Sequence, residues 1–453
     1  MPEFRPSSPP SGAICMKNDL ERLSRIIENT QPCRYTGMVT KVTGFMIESM
    51  GPQAMVGELC KIYVPGKESP VQAEVVAIDG SKVRLITYGS AVGIQMGCQV
   101  VATGRSLGIP MSNSLLGRVI DSMGNPLDGK GPIGFGKKKS VFGTPPDILN
   151  HQMVQSPVET GVRSIDSLLT VGLGQRLGIF SPAGTGKTTL LGMIARNTQA
   201  DINVIALVGE RGREVGEFIR NDLGEEKLAK SVVVVSTSDT SPVCRVRGAY
   251  TAVTVAEHFR DQGKNVMLFF DSLSRFARAQ SEIGLSIGEV PATRGYPPSV
   301  FTEMPKLLER CANSDKGTLT GFFTVLVEGD DRDEPISDSA EGFLDGHIIL
   351  SRKLSESGHY PAVDVLQSVS RSAVRVAPAI LLKAAEVIKH HMAVYRDAED
   401  LINVGAYNRG TSKAIDQAID KHEVIDQFLV QGLKEKATFQ ESMDKAMAIA
   451  GIR

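Results

Sequence analysis

At 453 residues the chain has room for two or three domains, each burying its own core, and 42% hydrophobic with 22% charged residues places it among soluble globular proteins. Its 50 basic against 51 acidic residues leave a net charge of −1, without the basic excess with which a nucleic-acid binder attracts phosphates. Six dispersed cysteines (Cys15, Cys33, Cys60, Cys98, Cys244, Cys311) with no C-x-x-C pair argue against a disulfide framework and for a reduced, cytoplasmic setting; no apolar run reaches the ~20 residues of a membrane helix and no leader-like N-terminus is present, so a membrane location would depend on a partner.

Residues 1–16 are rich in Pro and Ser, cannot nucleate a core and are expected to be a disordered tail, with Met16 a plausible natural start. Leu20, Leu23 and Ile27 then stand at i, i+3 and i+7, which predicts a short amphipathic helix over 17–30. Its stripe either packs on its own domain or docks a partner. From 31 to 108 short β runs broken by glycines, with turns every 8–12 residues, predict a small closed barrel or sandwich. The segment Ser114–Pro132, with its GNPLDGKG run, reads as a turn-rich bridge.

Residues 109–376 are expected to form an α/β domain. Gln175–Phe180, Asn203–Val208, Ser231–Ser236, Asn265–Phe270, Thr320–Val327 and His347–Ser351 read as buried strands, and intervening stretches such as Ala249–Asp261 as crossover helices, the alternation that a parallel sheet requires. Beyond Pro378 the β signal ends; Ile415, Ile419, Ile425 and Leu429 stand near helical spacing, so 377–453 reads as a helical domain.

The strongest local signal is LGIFSPAGTGKTTLLGMIA, an apolar strand, a glycine-rich turn and an apolar helix. Glycines let backbone N–H groups point at phosphate oxygens, and the helix N-terminus adds its positive dipole end. The expected cradle runs through Ser181, Pro182, Ala183, Gly184, Thr185, Gly186, Lys187, Thr188 and Thr189; Lys187 would reach the β- and γ-phosphates of ATP and the Thr188 hydroxyl would ligate Mg²⁺. Ser181 stands where the general P-loop pattern has its first glycine. A second metal anchor on a neighbouring strand is expected at Asp271, closing NVMLFFD, although an aspartate there also suits a helix cap. Glu210, in the Gly-flanked turn of VGERGREV, is either the general base toward attacking water or one member of a surface cluster with Arg211, Arg213 and Glu214.

Together, SPAGTGKTTL, VGERGREVGEFI, DSLSRFARAQSEIG, PATRGYPPSVFTEMPKLLER, VLVEGDDRDEPISDS, LDGHIILSR and GHYPAVDVLQSVSR resemble the flagellar and injectisome type III secretion ATPases, relatives of the catalytic subunit of rotary ATPases. The resemblance starts near Tyr35 and runs into the C-terminal region. It implies a multidomain α/β protein: an N-terminal β-barrel, a central RecA-like P-loop NTPase domain and a C-terminal helical domain, assembled as a homohexamer. It implies that Lys187 and Thr188 contact phosphate and magnesium, that Glu210 activates water, that Arg211 lines the γ-phosphate region and that Asp271 is the Walker B carboxylate. Tyr360 would stack on adenine, and Arg371 would be the arginine finger reaching the neighbouring subunit's γ-phosphate; the other reading of Arg371 is a structural arginine at a strand end. Implied partners are a stator-like regulator at the N-terminal helix, export substrates and chaperones at the C-terminal domain, and the export gate of a membrane apparatus to which the protein would be peripheral. The VEGDDRDEPISDS and GAYNRG segments lean toward the flagellar branch, with a virulence injectisome as the alternative. An RNA-translocating ring helicase, which would need a basic aromatic face, and a rotary ATP synthase subunit are the competing classes.

Overall fold

The computed structural model of the chain describes Leu20, Leu23, Ser24 and residues 35–146, 152–327 and 334–452. The expected N-terminal tail, most of the amphipathic helix with Ile27, and 328–333 of the VEGDDRDEP segment lie outside the described residues; Leu20 and Leu23 are helical and exposed.

Six strands close the N-terminal barrel: β1 (Thr36–Thr43), β2 (Met46–Met50), β3 (Glu58–Tyr63), β4 (Val71–Asp79), β5 (Lys82–Thr87) and β6 (Gln99–Ser106), in the order β1-β2-β5-β4-β3-β6. The sequence offered a barrel or a sandwich, and the closed barrel is the outcome. Alternation drives it: in β3, Cys60 and Ile62 turn inward to meet Val39, Ile47, Val75 and Leu85, while Lys61 and Tyr63 turn out. Glu74, buried on β4, ties the barrel to the central domain by accepting from Arg247 at 2.6 Å and from the Tyr88 hydroxyl at 2.5 Å.

β7 (Gly108–Met111) pairs with β9 (Lys137–Ser140). The central sheet holds β8 (Arg118–Ile120), β10 (Arg176–Ser181), β11 (Ile202–Val208), β12 (Ser231–Ser236), β13 (Asn265–Asp271), β14 (Thr318–Leu326), β15 (Gly346–Leu350) and β16 (Val363–Ser370), in the order β16-β15-β10-β14-β13-β11-β12-β8. The inner strands are buried along their whole length, as the SVVVVS of β12 shows, because both faces are covered. Val204, Ala206 and Val208 of β11 face one core, shared with helix Pro242–Arg260; Ile205 and Leu207 face the other, shared with helix Lys187–Asn197 and with Leu381, Ile388, Ile425 and Phe428 of the C-terminal helices.

The six predicted strands are present, and two corrections fall at the sheet's edges. The bridge segment contributes β8, three buried residues too short to show a period. At the other edge β16 runs antiparallel to β15, so the sheet is not wholly parallel. Helix Pro242–Arg260 also starts before the expected Ala249, since the Ser241 hydroxyl accepts from Cys244 N and Pro242 takes the first helical position. The C-terminal region is helical as expected, in Ala379–Asn403, Lys413–Leu429 and Phe439–Ala450.

Candidate active site

The P-loop leaves β10 at Ser181 and enters helix Lys187–Asn197 through Gly186. The two glycines that need left-handed backbone are Gly184 (φ 82°) and Gly186 (φ 88°). Ser181 is the last residue of β10, fully buried, and its carbonyl accepts from Val327 N at 3.0 Å. Nothing at that position demands glycine, which explains how the loop tolerates the substitution. Pro182 O accepts from the Thr185 hydroxyl at 3.0 Å, holding the turn closed while Ala183 and Gly184 stay exposed.

Asp271 ends β13 in a buried position. The anchor strand is not the immediate neighbour of the P-loop strand, as the sequence suggested: β14 lies between them and places Thr324 against Asp271. The Thr324 hydroxyl donates to Asp271 Oδ1 at 2.7 Å, Lys187 Nζ reaches the same oxygen at 2.5 Å, and Thr188 Oγ1 stands 3.3 Å from Oδ2.

Glu210 follows β11, which lies beside β13 with Leu207 opposite Asp271. It is 7% exposed and faces the site, while a side-chain hydrogen bond also joins it to Glu214; the surface pairs of this turn are Arg211–Glu214 and Arg213–Glu217. Lys187 Nζ lies 3.7 Å from Glu210 Oε1, and Arg275, on helix Leu273–Ile287, places Nε 2.9 Å from Oε1 and Nη2 3.2 Å from Oε2. Gly209 (φ 75°) makes this approach possible, because a Cβ there would come within 2.9 Å of the Arg275 side chain. One ammonium and one guanidinium group thus face two buried carboxylates. Burial first, and the Asp271 charge second, push the Glu210 carboxyl up to about 7, against the pull of Lys187 and Arg275.

Tyr360 lines a cavity of about 500 Å³ that opens onto Gly184, Gly186 and Thr189 and is closed on its far side by Gln431 and Leu433 of the C-terminal region. Its ring is so placed that a Cβ on Gly186 would stand 3.8 Å away. Tyr360 precedes β16 and Arg371 follows it. Because β16 is antiparallel, Arg371 lies at the opposite end of the sheet, its N–H donating to Asp345 O at 3.0 Å beside Arg176, where β10 begins. Five residue steps along β10 take Arg176 to Ser181, about 17 Å at strand rise. Arg371 and Arg211 are both exposed, and neither joins the cluster around Lys187.

The cluster therefore brings together Lys187, Thr188, Asp271 and Glu210 and adds Arg275 and Thr324, while Gln431 and Leu433 line the Tyr360 cavity. Arg275 sits inside the DSLSR run, one helical turn beyond Asp271, and that spacing was a usable signal. Thr324, Gln431 and Leu433 carried none, being brought in by strand order and by docking of the C-terminal helices.

Residues 161–370 match the nucleotide-binding domain of the ATP synthase alpha/beta family, residues 39–104 its beta-barrel domain, and residues 378–448 the C-terminal domain of the type III secretion ATPase EscN. The flagellum-specific ATP synthase of Treponema pallidum (strain Nichols) is 51% identical, over 94% of this chain and 95% of its own length. The chain belongs to the type III secretion ATPases. Among solved members of that family, the assembled ATPase EscN of enteropathogenic E. coli superimposes with a TM-score of 0.87 at 41% identity, covering 91% of this chain and 100% of that one. EscN in complex with its central stalk EscO gives a TM-score of 0.84 at 40% identity, with the same coverage. This type III secretion ATPase is accordingly an ATP hydrolase, with the barrel, the central nucleotide-binding domain and the helical C-terminal region of its family. Among the described residues no helix is long and apolar enough to cross a membrane.

Proposed function

We propose that the protein hydrolyses Mg-ATP at a site completed by a neighbouring subunit of a homohexameric ring, and that hydrolysis drives protein export through a flagellar type III apparatus. The observation that carries the shared site is the antiparallel course of β16. It puts Tyr360 beside the P-loop and Arg371 at the sheet's other end, too far to serve its own phosphates. An exposed arginine at that position is free to reach a neighbour's nucleotide, where it would stabilise the charge that develops in phosphoryl transfer.

Within one chain, Gly184, Gly186 and the first turn of helix Lys187–Asn197 present N–H groups to the phosphates. Lys187 exchanges its Asp271 and Glu210 partners for phosphate oxygens, and Tyr360 stacks on the base. The donor set fits Mg²⁺, because a hydroxyl (Thr188) and a carboxylate (Asp271) stand 3.3 Å apart beside the cradle, the hard oxygen ligands this cation takes. When bound, that cation would neutralise phosphate charge. Glu210, held by Arg275, orients the attacking water and accepts its proton. Arg211, exposed and paired with Glu214, is assigned to the γ-phosphate region by the family resemblance.

Partners follow the same reasoning. The 51% identity to a flagellum-specific ATP synthase supports the flagellar branch, with an injectisome as the second reading. The assembled EscN and its EscO complex support a ring and a stalk-like regulator; a stator at the N-terminal helix, chaperones and substrates at the C-terminal helices, the export gate and a peripheral place at the inner membrane complete the proposal. The test is specific ATPase activity against protein concentration. A rise that plateaus as rings form is expected, and activity per chain independent of concentration would overturn the shared site. Loss of motility on deletion, with virulence secretion intact, is the expected sign of the flagellar branch; the reverse would assign an injectisome.

A further inference from the structure

A general base that takes a proton from water must pass it on before the next turnover, and the partners of Glu210 leave it one exit. Lys187, in the first turn of helix Lys187–Asn197, stands 3.7 Å from its carboxylate, and Arg275, on helix Leu273–Ile287, stands 2.9 Å from it. An ammonium and a guanidinium only donate, so neither can accept a proton. Asp271, which closes β13, has its oxygens engaged by Lys187, Thr324 and Thr188. The chain after β12 adds Ser238 N, which donates to the Glu210 main-chain carbonyl at 3.0 Å. Among the described residues, the acceptor that meets the Glu210 carboxyl is Glu214, joined to it by a side-chain hydrogen bond.

Two carboxyl groups share a hydrogen bond only when one of them holds a proton. Here Glu210 holds it. Burial favours its neutral form, whereas the bond it donates keeps the Glu214 carboxyl below its ordinary range. The site thus shows the base as it stands after taking a proton. Glu214 is fixed by its own element: it lies in the first turn of helix Gly212–Glu217, accepts from the Arg211 main-chain N–H and stands 3.7 Å from the Arg211 guanidinium. Arg213 turns instead to Glu217. The Glu214 side chain is 43% exposed against 9% for Glu210, so it links the enclosed base to bulk water.

We propose that Glu214 is the proton exit of the hydrolytic site. As the water oxygen bonds the γ-phosphorus and the bond to the leaving ADP oxygen breaks, one water proton passes to Glu210 and the other stays on the phosphate. Glu210 then gives its proton to the Glu214 carboxylate, which releases it to solvent and leaves Glu210 ionised for the next water. Glu214 acts through Glu210 rather than on the nucleotide. The inference rests on the proposed role of Glu210 as the base.

The experiment is steady-state ATP hydrolysis by the full chain carrying Glu214→Gln, Glu214→Asp or Glu210→Ala, with imidazole varied at constant pH and ionic strength. Glu214→Gln keeps the size and a hydrogen-bond acceptor but cannot take a proton. Its kcat should fall about 10²-fold with KM for ATP retained, the lower end of what a positioned proton acceptor contributes. Glu214→Asp should recover most of that loss. Neutral imidazole accepts protons near neutral pH and can reach the exposed side of the pair. It should raise kcat of Glu214→Gln in proportion to its concentration and leave the unmodified protein unchanged. A Glu214→Gln variant with unmodified kcat would overturn the inference. So would a loss that imidazole does not repair, because a free base cannot replace a glutamate whose role is structural. Glu210→Ala separates the two levels: lost turnover keeps the base assignment and leaves the relay to the Glu214 variants, whereas an unmodified rate sinks the assignment and the inference together.

Discussion

Asp271 shows how much one side chain depends on its surroundings. Its carboxylate is fixed from two sides, by Lys187 and by the Thr324 hydroxyl, and so presents Oδ2 toward Thr188 in one orientation. Thr324→Val keeps the shape and removes the hydroxyl, a loss of about 1 kcal/mol, or roughly fivefold in kcat; Thr324→Ser should restore the rate, which a steady-state assay at saturating magnesium would read. Lys187→Ala and Glu210→Ala are expected to abolish ATP turnover with unchanged far-UV circular dichroism. Unmodified rates in either variant would refute the site. For Glu210 the loss should be about 10²–10⁴-fold, the range of a positioned general base.

At the level of elements, the site depends on how close two of them approach. The turn after β11 and helix Leu273–Ile287 meet at Gly209, where Arg275 crosses to Glu210. Gly209→Ala would force a side chain into positive φ and against Arg275, a strain of about 1–3 kcal/mol. A lowered melting temperature together with a fall in kcat is the expected result, and an unaltered kcat would show that Arg275 does not position the base. The docking of the C-terminal helices rests on a comparable contact. Arg163 is buried and donates to Phe428 O at 2.7 Å, to Val430 O and to the Glu435 carboxylate. Arg163→Ala should cost about 2–3 kcal/mol, the range for bonds from a charged donor, and thermal denaturation would measure it. Both contacts join residues remote in sequence, which is why neither Gly209 nor Arg163 stood out in the linear pattern.

For the whole molecule, the proposed shared site rests on the course of β16, whose two ends lie at opposite ends of the sheet. A chain carrying Arg371→Ala retains its own cradle, and a chain carrying Lys187→Ala retains its own finger. Each alone should be inactive in assembled rings. Mixing the two should restore a fraction of the activity, because some junctions then pair an intact cradle with an intact finger; no recovery on mixing would refute a site shared between subunits. A heterologous interface that closes a ring is the arrangement in which such complementation operates.

By itself the sequence determined the strand–turn–helix of the P-loop, the inner strands of the sheet and the helical C-terminal region, as well as the residue types able to hold triphosphate and magnesium. These were legible because local spacing expresses them: continuous apolar runs for strands buried on both faces, glycines where φ is positive, a lysine and a threonine at the helix start. Only the tertiary structure decided the edge strands β8 and β16, the insertion of β14 between β10 and β13, the partnership of Arg275 with Glu210 and the enclosure of the Tyr360 cavity by Gln431. Edge strands are short or half exposed and leave a weak period. Strand order and domain docking are long-range choices, made by burying whole faces together, and no window of neighbouring residues carries them. The direction of β16 is such a choice, and it separates Arg371 from its own P-loop.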